Sequence, residues 1–421
     1  MNIVRSEIIS IGDEILYGQI VDTNSQWISQ ELDNIGVSTV WKTTVSDNET
    51  DILNALNLAT ERSDIILMTG GLGPTSDDLT KPCLAKFFNC DLALDQEAFN
   101  DLLRIFDKIG RELTETNRQQ AYLPTRCTRI TNRAGTAPGM WFEQLGKVYI
   151  SMPGVPHEMK IMMTEQVIPK LQSVFQMPVI FHKIVKTIGI GESWLADKIR
   201  SWEEQLPSHI KLAYLPGLGE VRLRLTAVGN DLSQLEEAVK TQVNNLRPQI
   251  SQYIYGYDKD SIPRVVGNLL RDRKLTIAVA ESCTGGSVAQ AITSIPGSSE
   301  YFLGAVVAYQ NILKQRLLGV TAETMATHGA VSENTVVEMA QGIRTHLRAD
   351  IGIATSGIAG PGGGSVEKPV GTIWIAYTDK SNTVSKKLSL YKDRRINIKL
   401  TTKAVLNLVR QRIVEMNGEK V

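Results

Sequence analysis

Short apolar runs alternate with segments in which apolar residues recur every three or four positions along the first 160 residues. Four runs predict buried strands: 6–11, 37–45, 64–68 and 147–152. Helical patterns separate the first three, and we expect Asn24 or Ser25 to cap the first helix. Strands alternating with helices favour an α/β fold with a parallel, doubly wound sheet. In such a sheet, the loops leaving the carboxyl ends of the strands share one ligand-binding edge.

The pattern changes over residues 173–256, where residues 221–225 alternate like a half-exposed strand and residues 235–246 form an amphipathic helix. This pattern predicts a small α+β module. The α/β pattern then returns with four predicted strands: 275–279, 302–308, 351–355 and 370–377. We therefore predict three domains, at 1–172, 173–256 and 257–421.

Composition limits the function classes. Lys+Arg and Asp+Glu are both 45, so no net charge attracts a polyanion, and nucleic acid is not an expected partner. The four cysteines show no metal-binding spacing, which favours free thiols in a reducing compartment. No leader peptide and no membrane-spanning apolar stretch is recognised, so we expect a cytoplasmic protein.

Acidic residues follow the strands of the first domain. They are Asp13, Glu14, Asp47, Asp77, Asp78 and Glu158. The same predicted edge carries the loop Gly70-Gly71-Leu72-Gly73-Pro74-Thr75. Carboxylates beside exposed backbone N–H groups suit a divalent cation with a phosphate. Asp and Gly also make ordinary loops, and that interpretation stays open. The loop matches neither the P-loop pattern nor GxGxxG.

The segment Ala280-Glu281-Ser282-Cys283-Thr284-Gly285-Gly286 follows a predicted strand and precedes a predicted helix. A Ser282 hydroxyl at such a turn lies among free backbone N–H groups, as a nucleophile requires. Capping of the helix by Ser282 or Thr284 is the more common use of such residues.

Three further features of the last domain are candidates for the same chemistry. Tyr309 ends a strand, and Lys314 falls in the first turn of a helix that Asn311 can cap. A partly desolvated lysine there is a candidate base, and a solvated helix lysine is the alternative. Residues 356–365 form a glycine-rich loop that either wraps a ligand or is a flexible connector. Arg394 suits a phosphate or a salt bridge at a helix start.

With these segments in view, the whole chain resembles the CinA family (competence/damage-inducible protein A). The N-terminal motifs that carry the resemblance are Ser10-Ile11-Gly12-Asp13-Glu14, Asp22-Thr23-Asn24-Ser25 and residues 70–80, with Gly135-Thr136-Ala137-Pro138-Gly139 and 153–159 later. The resemblance implies a MoaB/MogA-like fold for this part, with its acidic pair at Asp47 and Asp78. It also implies a metal-dependent ADP-ribose pyrophosphatase using Mg, Mn or Co, and a KH-like middle domain.

The last domain resembles nicotinamide-mononucleotide deamidase (PncC), a Ser/Lys amidohydrolase. The resemblance implies Ser282 as nucleophile, Lys314 as base and Tyr309 as helper, with no cofactor required. The implied substrate-binding residues are Cys283, Thr284, Gly285, Gly286, Ser356, Gly357, Gly360, Gly362, Gly363 and Arg394, with Gly70, Gly71, Gly73 and Thr75 in the first domain. The implied metal ligands are Asp13, Asp47, Asp78 and Glu158. A homodimer is usual for such families.

The chain departs from the family pattern near its C-terminus. Lys392 stands where the family's Gly-Asp-Arg begins, and Ile398 stands where a second arginine is expected. Arg395 or Lys399 could compensate. The expected function is bifunctional recycling of pyridine nucleotides, acting on nicotinamide mononucleotide and ADP-ribose. The alternatives are a non-enzymatic competence- or damage-related regulator and a molybdopterin-binding scaffold, and a basic face on residues 183–225 would favour nucleic acid.

Overall fold

The computed structural model describes residues 4–416 and divides them into two units. The first unit runs through Phe181 and includes Val228–Leu235, and the second holds His182–Ala227 and the chain from Glu236 onward. The predicted domain limits at 172 and 256 remain predictions. Within residues 4–416, no helix combines the length and apolar character needed to cross a membrane.

A six-stranded sheet forms the centre of the first unit, in the order β2-β1-β3-β8-β7-β6. Its strands are β1 (Arg5–Ile11), β2 (Ser38–Val45), β3 (Ile65–Thr69), β6 (Thr128–Ile130), β7 (Gly139–Gln144) and β8 (Lys147–Met152), while β4 (Leu92–Leu94) and β5 (Tyr122–Pro124) form a separate pair. The first four strands in this order are parallel, as predicted. The strands β6 and β7, which the sequence analysis did not predict, add an antiparallel edge to this sheet, because the tight Leu145–Gly146 turn makes β7 and β8 an antiparallel hairpin.

Eight helices accompany these strands. They are α1 (Asp13–Leu16), α2 (Thr23–Asn34), α3 (Glu49–Arg62), α4 (Thr80–Phe87), α5 (Gln96–Ile109), α6 (Glu115–Arg118), α7 (Pro156–Met162) and α8 (Ile168–Val174), with a π-helical turn at Met163–Val167. The predicted cap of α2 is wrong. Asp22 is the N-cap and accepts from the Ser25 amide at 2.9 Å, while Asn24 is buried inside the first turn.

Alternating side chains of the central strands build two cores. Ile8 and Leu67 pack on one face with α2, α7 and α8, while Ile9 and Met68 pack on the other with α3 and α4. Because both faces of the sheet are covered, all residues of β3 and all residues of β1 after Arg5 are buried, including the polar Ser6, Glu7 and Ser10. The carboxyl ends of β1 and β3 therefore lie together at one edge of a sheet that is covered on both faces.

The middle segment forms a four-stranded sheet in the order β10-β11-β9-β12. Its elements are β9 (Val179–Ile188), α9 (Glu192–Glu203), β10 (Ile210–Gly217), β11 (Glu220–Gly229), α10 (Leu232–Ile250) and β12 (Ile254–Tyr257). The predicted half-exposed strand is confirmed, because burial alternates along β11.

The C-terminal segment forms a five-stranded sheet in the order β14-β13-β15-β16-β17. Its elements are α11 (Ile262–Asp272), β13 (Ile277–Glu281), α12 (Ser287–Thr293), β14 (Phe302–Val307), α13 (Asn311–Leu318), α14 (Ala322–His328), α15 (Glu333–Leu347), β15 (Ile351–Gly357), β16 (Thr372–Thr378), β17 (Thr383–Ser389) and α16 (Arg394–Glu415). Strands β14, β13 and β15 are parallel, whereas β16 and β17 are antiparallel to their neighbours. The carboxyl ends of the three parallel strands carry Ser282, Tyr309 and the glycine-rich loop.

Candidate active site

Ser282 lies at the turn that joins β13 to α12, where its main chain is anchored and its hydroxyl is not. Its amide donates to the Thr355 carbonyl at 3.0 Å, which continues the pairing of β13 with β15. The residue is 8% exposed, and its hydroxyl makes no hydrogen bond within the described chain. The Ser282 backbone is therefore held in place, and its hydroxyl is not engaged by another group of the described chain.

The cap of α12 is Glu281, and neither Ser282 nor Thr284 supplies it. The buried Glu281 carboxylate accepts from the amides of Gly286, Val288 and Ala289 at 2.9, 3.1 and 2.8 Å. The Thr284 hydroxyl instead bonds that of Thr355 at 2.7 Å. The capping interpretation of Ser282 is wrong, because a neighbouring carboxylate satisfies the helix terminus.

The same bonds limit which amides can hold an oxyanion. The Gly286 amide is occupied by Glu281, and the Gly285 amide donates to the Ser282 carbonyl at 3.2 Å. Among the described hydrogen bonds of this turn, the amides of Cys283 and Thr284 donate to no protein acceptor. These two N–H groups are the available donors beside Ser282.

Lys314 is buried, with 1% of its surface exposed. Its amine donates to the Ala308 carbonyl at 2.9 Å and to the Tyr309 carbonyl at 3.4 Å. Burial lowers the pKa of Lys314, and the neighbouring Cys283 opposes this more weakly. In the part of the chain that the structure describes, no carboxylate pairs with this amine. The prediction of a desolvated lysine is confirmed, and the solvated alternative is wrong.

The register of β13 and β14 places the Lys314 amine beside the turn that holds Ser282. Glu281 pairs with Val307 in the parallel β13–β14 ladder, so Ser282 and Ala308 are the next residues on adjacent strands. Lys314 and Ser282 share no direct hydrogen bond in the described structure. Hydrogen bonds of catalytic pairs often close only in the substrate complex.

Cys283, the other nucleophile type at this turn, is also buried. Burial raises the pKa of the Cys283 thiol to about 12, so it stays protonated at neutral pH. This makes Ser282 the better candidate nucleophile.

Arg394 connects Tyr309 to the glycine-rich loop. Its guanidinium donates to the Tyr309 hydroxyl at 2.8 Å and to the Gly360 carbonyl at 2.9 Å. Gly360 has φ +95°, which favours glycine, and an added Cβ would lie 2.6 Å from Val370. Because Arg394 donates to the phenol oxygen, the Tyr309 proton remains available to a substrate. Direct hydrogen bonds thus link three predicted site residues, Tyr309, Arg394 and Gly360.

Other predicted residues of this loop have different surroundings. The Ser356 hydroxyl donates to the Ala330 carbonyl at 2.6 Å, and Gly357 packs against Ile373. Gly362 and Gly363 lie in the exposed part of the loop. The structure therefore gives Ser356 and Gly357 packing contacts and leaves Gly362 and Gly363 open to a ligand.

Asn397 supports this loop and was missed by the sequence analysis. Its buried amide donates to the carbonyls of Ala359 and Tyr391 at 2.9 and 2.8 Å and accepts from the Tyr391 amide at 3.0 Å. These bonds attach the loop to α16. The only signal in the sequence was an asparagine three residues after Arg394.

Arg395 and Lys399, the possible substitutes at the family's second arginine, line another cavity together with Ile398. Arg394 bonds Tyr309 and Gly360 instead. Arg394 therefore belongs to the Tyr309 site, whereas Arg395 and Lys399 belong to the other cavity.

In the first unit, a cavity of about 480 Å³ lies at the carboxyl edge of the sheet. It is lined by Gly70, Gly71, Gly73, Glu14, Asp47, Asp77, Asp78 and Glu158, and Asp13 is not among its lining residues. The Asp13 amide donates to Asp47 at 3.0 Å, and an added Cβ on Gly70 would meet the Ile11 carbonyl at 2.2 Å. The predicted convergence of acidic and glycine residues on one edge is what the structure has.

Three acids of this cavity, Asp47, Asp78 and Glu158, already accept hydrogen bonds from the protein. Asp78 accepts from the Thr75 amide at 2.9 Å, and Glu158 accepts from Asn132 at 2.6 Å. The pKa of Asp47 is raised by burial, and the charges of Asp13, Glu14 and Asp77 raise it further. Clustered carboxylates of this kind favour a bound cation.

Within residues 4–416, no three His, Cys, Asp or Glu side chains converge closely enough to form a metal cage. Mg²⁺ commonly binds through one or two carboxylates together with substrate phosphates, so the oxygen donors here fit an ion that arrives with a phosphorylated substrate.

Asn24 and Gln120 also line this cavity, and the sequence analysis predicted neither of them as a site residue. The Asn24 amide donates to the Gly154 carbonyl at 2.7 Å, which leaves its own oxygen without a partner in the described chain. The half-buried Lys81 holds the Gln120 turn through the carbonyls of residues 119 and 120, each at 3.1 Å, and burial lowers the pKa of Lys81 to about 8.

The middle segment does not present an uninterrupted basic face. Arg222 and Arg224 alternate with buried residues on β11, but Lys183 pairs with Asp258 at 2.6 Å and Arg200 pairs with Asp197. Part of the positive charge is neutralised within the module.

Comparison with known proteins gives three family matches in the predicted order. Residues 7–173 match a probable molybdopterin binding domain, residues 182–256 match the damage-inducible protein CinA KH domain, and residues 259–413 match the CinA C-terminal domain.

Similar proteins extend over almost the whole chain. A CinA-like protein of Cytophaga hutchinsonii is 50% identical over 413 residues, covering 98% of this chain and 99% of the relative. A putative competence-damage inducible protein of Halothermothrix orenii is 43% identical over 401 residues, covering 95% and 96%. Among solved structures, CinA of Thermoplasma acidophilum, of unknown function, is 34% identical, covers 42% of this chain and 100% of its own, and has a TM-score of 0.38.

Proposed function

This chain belongs to the CinA family, and from that premise we propose that its C-terminal segment hydrolyses the carboxamide of nicotinamide mononucleotide, giving nicotinate mononucleotide and ammonia. The observation that carries the proposal is a buried lysine with lowered pKa beside a serine whose hydroxyl is unbonded. The substrate is suggested by the family resemblance. The site supplies the nucleophile, the base and the donors that amide hydrolysis needs.

In the proposed mechanism, neutral Lys314 takes the proton of Ser282 as the serine oxygen attacks the amide carbonyl. The amides of Cys283 and Thr284 hold the oxyanion, and each such donor contributes about 3 kcal/mol in comparable sites. The C–N bond then breaks, and Lys314 or Tyr309 protonates the departing ammonia. Water attacks the acyl-enzyme, releases the acid and restores the serine. Arg394 and the glycine-rich loop bind the nucleotide phosphate.

The test is ammonia release from nicotinamide mononucleotide by the full chain, with EDTA present because no metal takes part. Ser282→Ala should lower kcat by about a thousandfold or more, since it removes the nucleophile. Lys314→Arg should have a similar effect, because a guanidinium stays protonated at working pH. Ser298→Ala and Lys380→Arg, which lie outside the site, are the matched controls. Undiminished turnover in Ser282→Ala would refute the assignment.

We propose a second activity for the first unit, hydrolysis of the pyrophosphate of ADP-ribose. It is supported by the cavity in which carboxylates face a glycine-rich loop at the carboxyl edge of the sheet. Asp47 and Asp78 would hold a divalent ion that arrives with the substrate, and the ion would polarise a phosphoryl oxygen. The loop amides at residues 71–73 orient the phosphates, and Asn24 accepts a donor from the nucleoside part.

Product analysis after incubation with ADP-ribose and Mg²⁺, Mn²⁺ or Co²⁺ tests this second activity. Asp78→Ala should abolish formation of AMP and ribose 5-phosphate, and Asp91→Ala, outside the cavity, should not. A protein that binds both nucleotides but converts neither would instead support the regulatory or scaffold alternatives.

A further inference from the structure

The second unit contains a cleft that neither proposed activity uses. It lies between α12 and α16, has a volume of about 760 Å³, and is here called the α12–α16 cleft. Ser287, Gln290, Arg395 and Lys399 line it, whereas Ser282, Lys314, Tyr309 and Arg394 do not. It is therefore a separate cavity in the same unit.

Hydrogen bonds hold the walls of the α12–α16 cleft in place. Lys403 on α16 donates to the Leu218 carbonyl at 2.8 Å and pairs with Glu220 at 3.1 Å. Lys186 donates to the Asp260 carbonyl at 2.6 Å. The cleft is thus formed before any ligand arrives, as most small-molecule sites are.

Charge in the cleft is unbalanced. Four cationic side chains face two carboxylates there, and the pairing of Lys403 with Glu220 cancels one charge of each sign. Arg395 and Lys399 are exposed and make no ion pair or hydrogen bond through their side chains in the described structure. They lie four residues apart on one helix, where like charges repel. A bound dianion would relieve that repulsion.

The remaining lining suits an apolar body attached to that anion. Ile262, Pro263, Ile398 and Leu406 give an apolar surface, and Ser287 with Gln290 adds a hydroxyl and an amide on the opposite wall. A bare phosphate would leave most of this volume and surface unused. Apolar walls with a few placed polar groups are typical of sites for small organic molecules.

We propose that the α12–α16 cleft binds a small organic phosphate, with the phosphate on Arg395 and Lys399 and an apolar or aromatic body against Ile262, Pro263 and Ile398. The guanidinium gives two parallel donors to phosphate oxygens, and the lysine adds a point charge.

Fluorescence titration of the full chain with naphthyl phosphate tests the proposal, and naphthol is the uncharged comparison. The unaltered protein should bind naphthyl phosphate and not naphthol. The double variant Arg395→Gln with Lys399→Gln should bind it at least about tenfold more weakly, because two charged contacts are lost. Gln290→Trp should also block binding, because its indole fills the cleft while every cation remains.

The matched control is Lys380→Gln with Lys387→Gln, which removes two exposed charges of the same unit outside the cleft. This control should bind naphthyl phosphate as the unaltered protein does, and circular dichroism checks the fold of every variant. Absence of binding to the unaltered protein, equal binding of naphthol, or unchanged binding in the Arg395/Lys399 variant would overturn the proposal.

Discussion

At the scale of single residues, two buried ionisable side chains near the carboxyl ends of β13 and β14 serve different purposes. Glu281 is surrounded by three amide donors that stabilise its negative charge. Lys314 has only two carbonyl acceptors and no anionic partner among the described residues, so burial disfavours its positive charge. These adjacent strand ends therefore have one carboxylate that caps a helix and one amine that is ready to accept a proton.

The lowered pKa of Lys314 predicts the pH dependence of deamidation. Only the neutral amine can act as base, so kcat/KM should rise with pH through the pKa of Lys314 and then level off. Since burial lowers that pKa, the midpoint should fall below about 10.4, the usual value for lysine. A pH–rate profile for nicotinamide mononucleotide measures it. A midpoint at the ordinary lysine value would contradict the assignment of Lys314 as base.

At the scale of elements, the short helix α12 depends on Glu281, because no residue at its own N-cap bonds to its amides. The carboxylate reaches three amides with two oxygens, which a carboxamide cannot reproduce.

Glu281→Gln should therefore loosen the start of α12 by about 2 kcal/mol, the range for a hydrogen bond to a charged group. Hydrogen exchange of the amides at 286, 288 and 289 should accelerate by about tenfold or more. Deamidation should slow with it, because the Ser282 turn precedes this helix. Glu300→Gln, an exposed change nearby, is the control, and equal exchange rates in both variants would contradict the capping role.

The glycine-rich loop depends in a similar way on α16. Asn397→Ala removes three hydrogen bonds that attach residues 359 and 391 to that helix. It leaves buried polar groups without partners, at about 1–3 kcal/mol for each. We expect a raised KM for nicotinamide mononucleotide with a smaller change in kcat, because the loop binds the nucleotide and takes no part in proton transfer. Steady-state kinetics measures this, with Asn382→Ala in an exposed turn as control. A change in kcat alone would oppose this interpretation.

At the scale of the whole molecule, the two proposed activities lie in different units, each with its own core. Loss of one site should therefore leave the other active. Asp78→Ala should release ammonia from nicotinamide mononucleotide at the unaltered rate, and Ser282→Ala should cleave ADP-ribose at the unaltered rate. Both activities are measured on the same preparations. Joint loss in either variant would mean that the sites are coupled or that the variant is misfolded.

The amino-acid sequence alone determined much of the architecture. Short runs rich in apolar residues predicted the central strands β1, β3, β8, β13 and β15, because strands covered on both faces of a sheet are rich in apolar residues. The rule that strand ends share an edge then predicted that Asp47, Asp78 and Gly70 would lie together, and likewise Ser282 and Tyr309. Family motifs identified the same positions independently.

Only the tertiary structure decided what each polar group bonds to. Asn24 or Ser25 and Asn311 were predicted helix caps, and Ser282 or Thr284 was the alternative cap of α12. In the structure Asp22 and Glu281 bond to the starts of α2 and α12, since several nearby side chains can reach the same amides, and the N-cap residue of α13 is Gln310, whose side chain forms no capping bond. The contacts of Arg394 with Tyr309, of Asn397 with the glycine-rich loop and of Lys81 with the Gln120 turn join residues 38 to 85 positions apart. The local sequence pattern does not predict such contacts, because they form only when the folded sheets bring distant loops together.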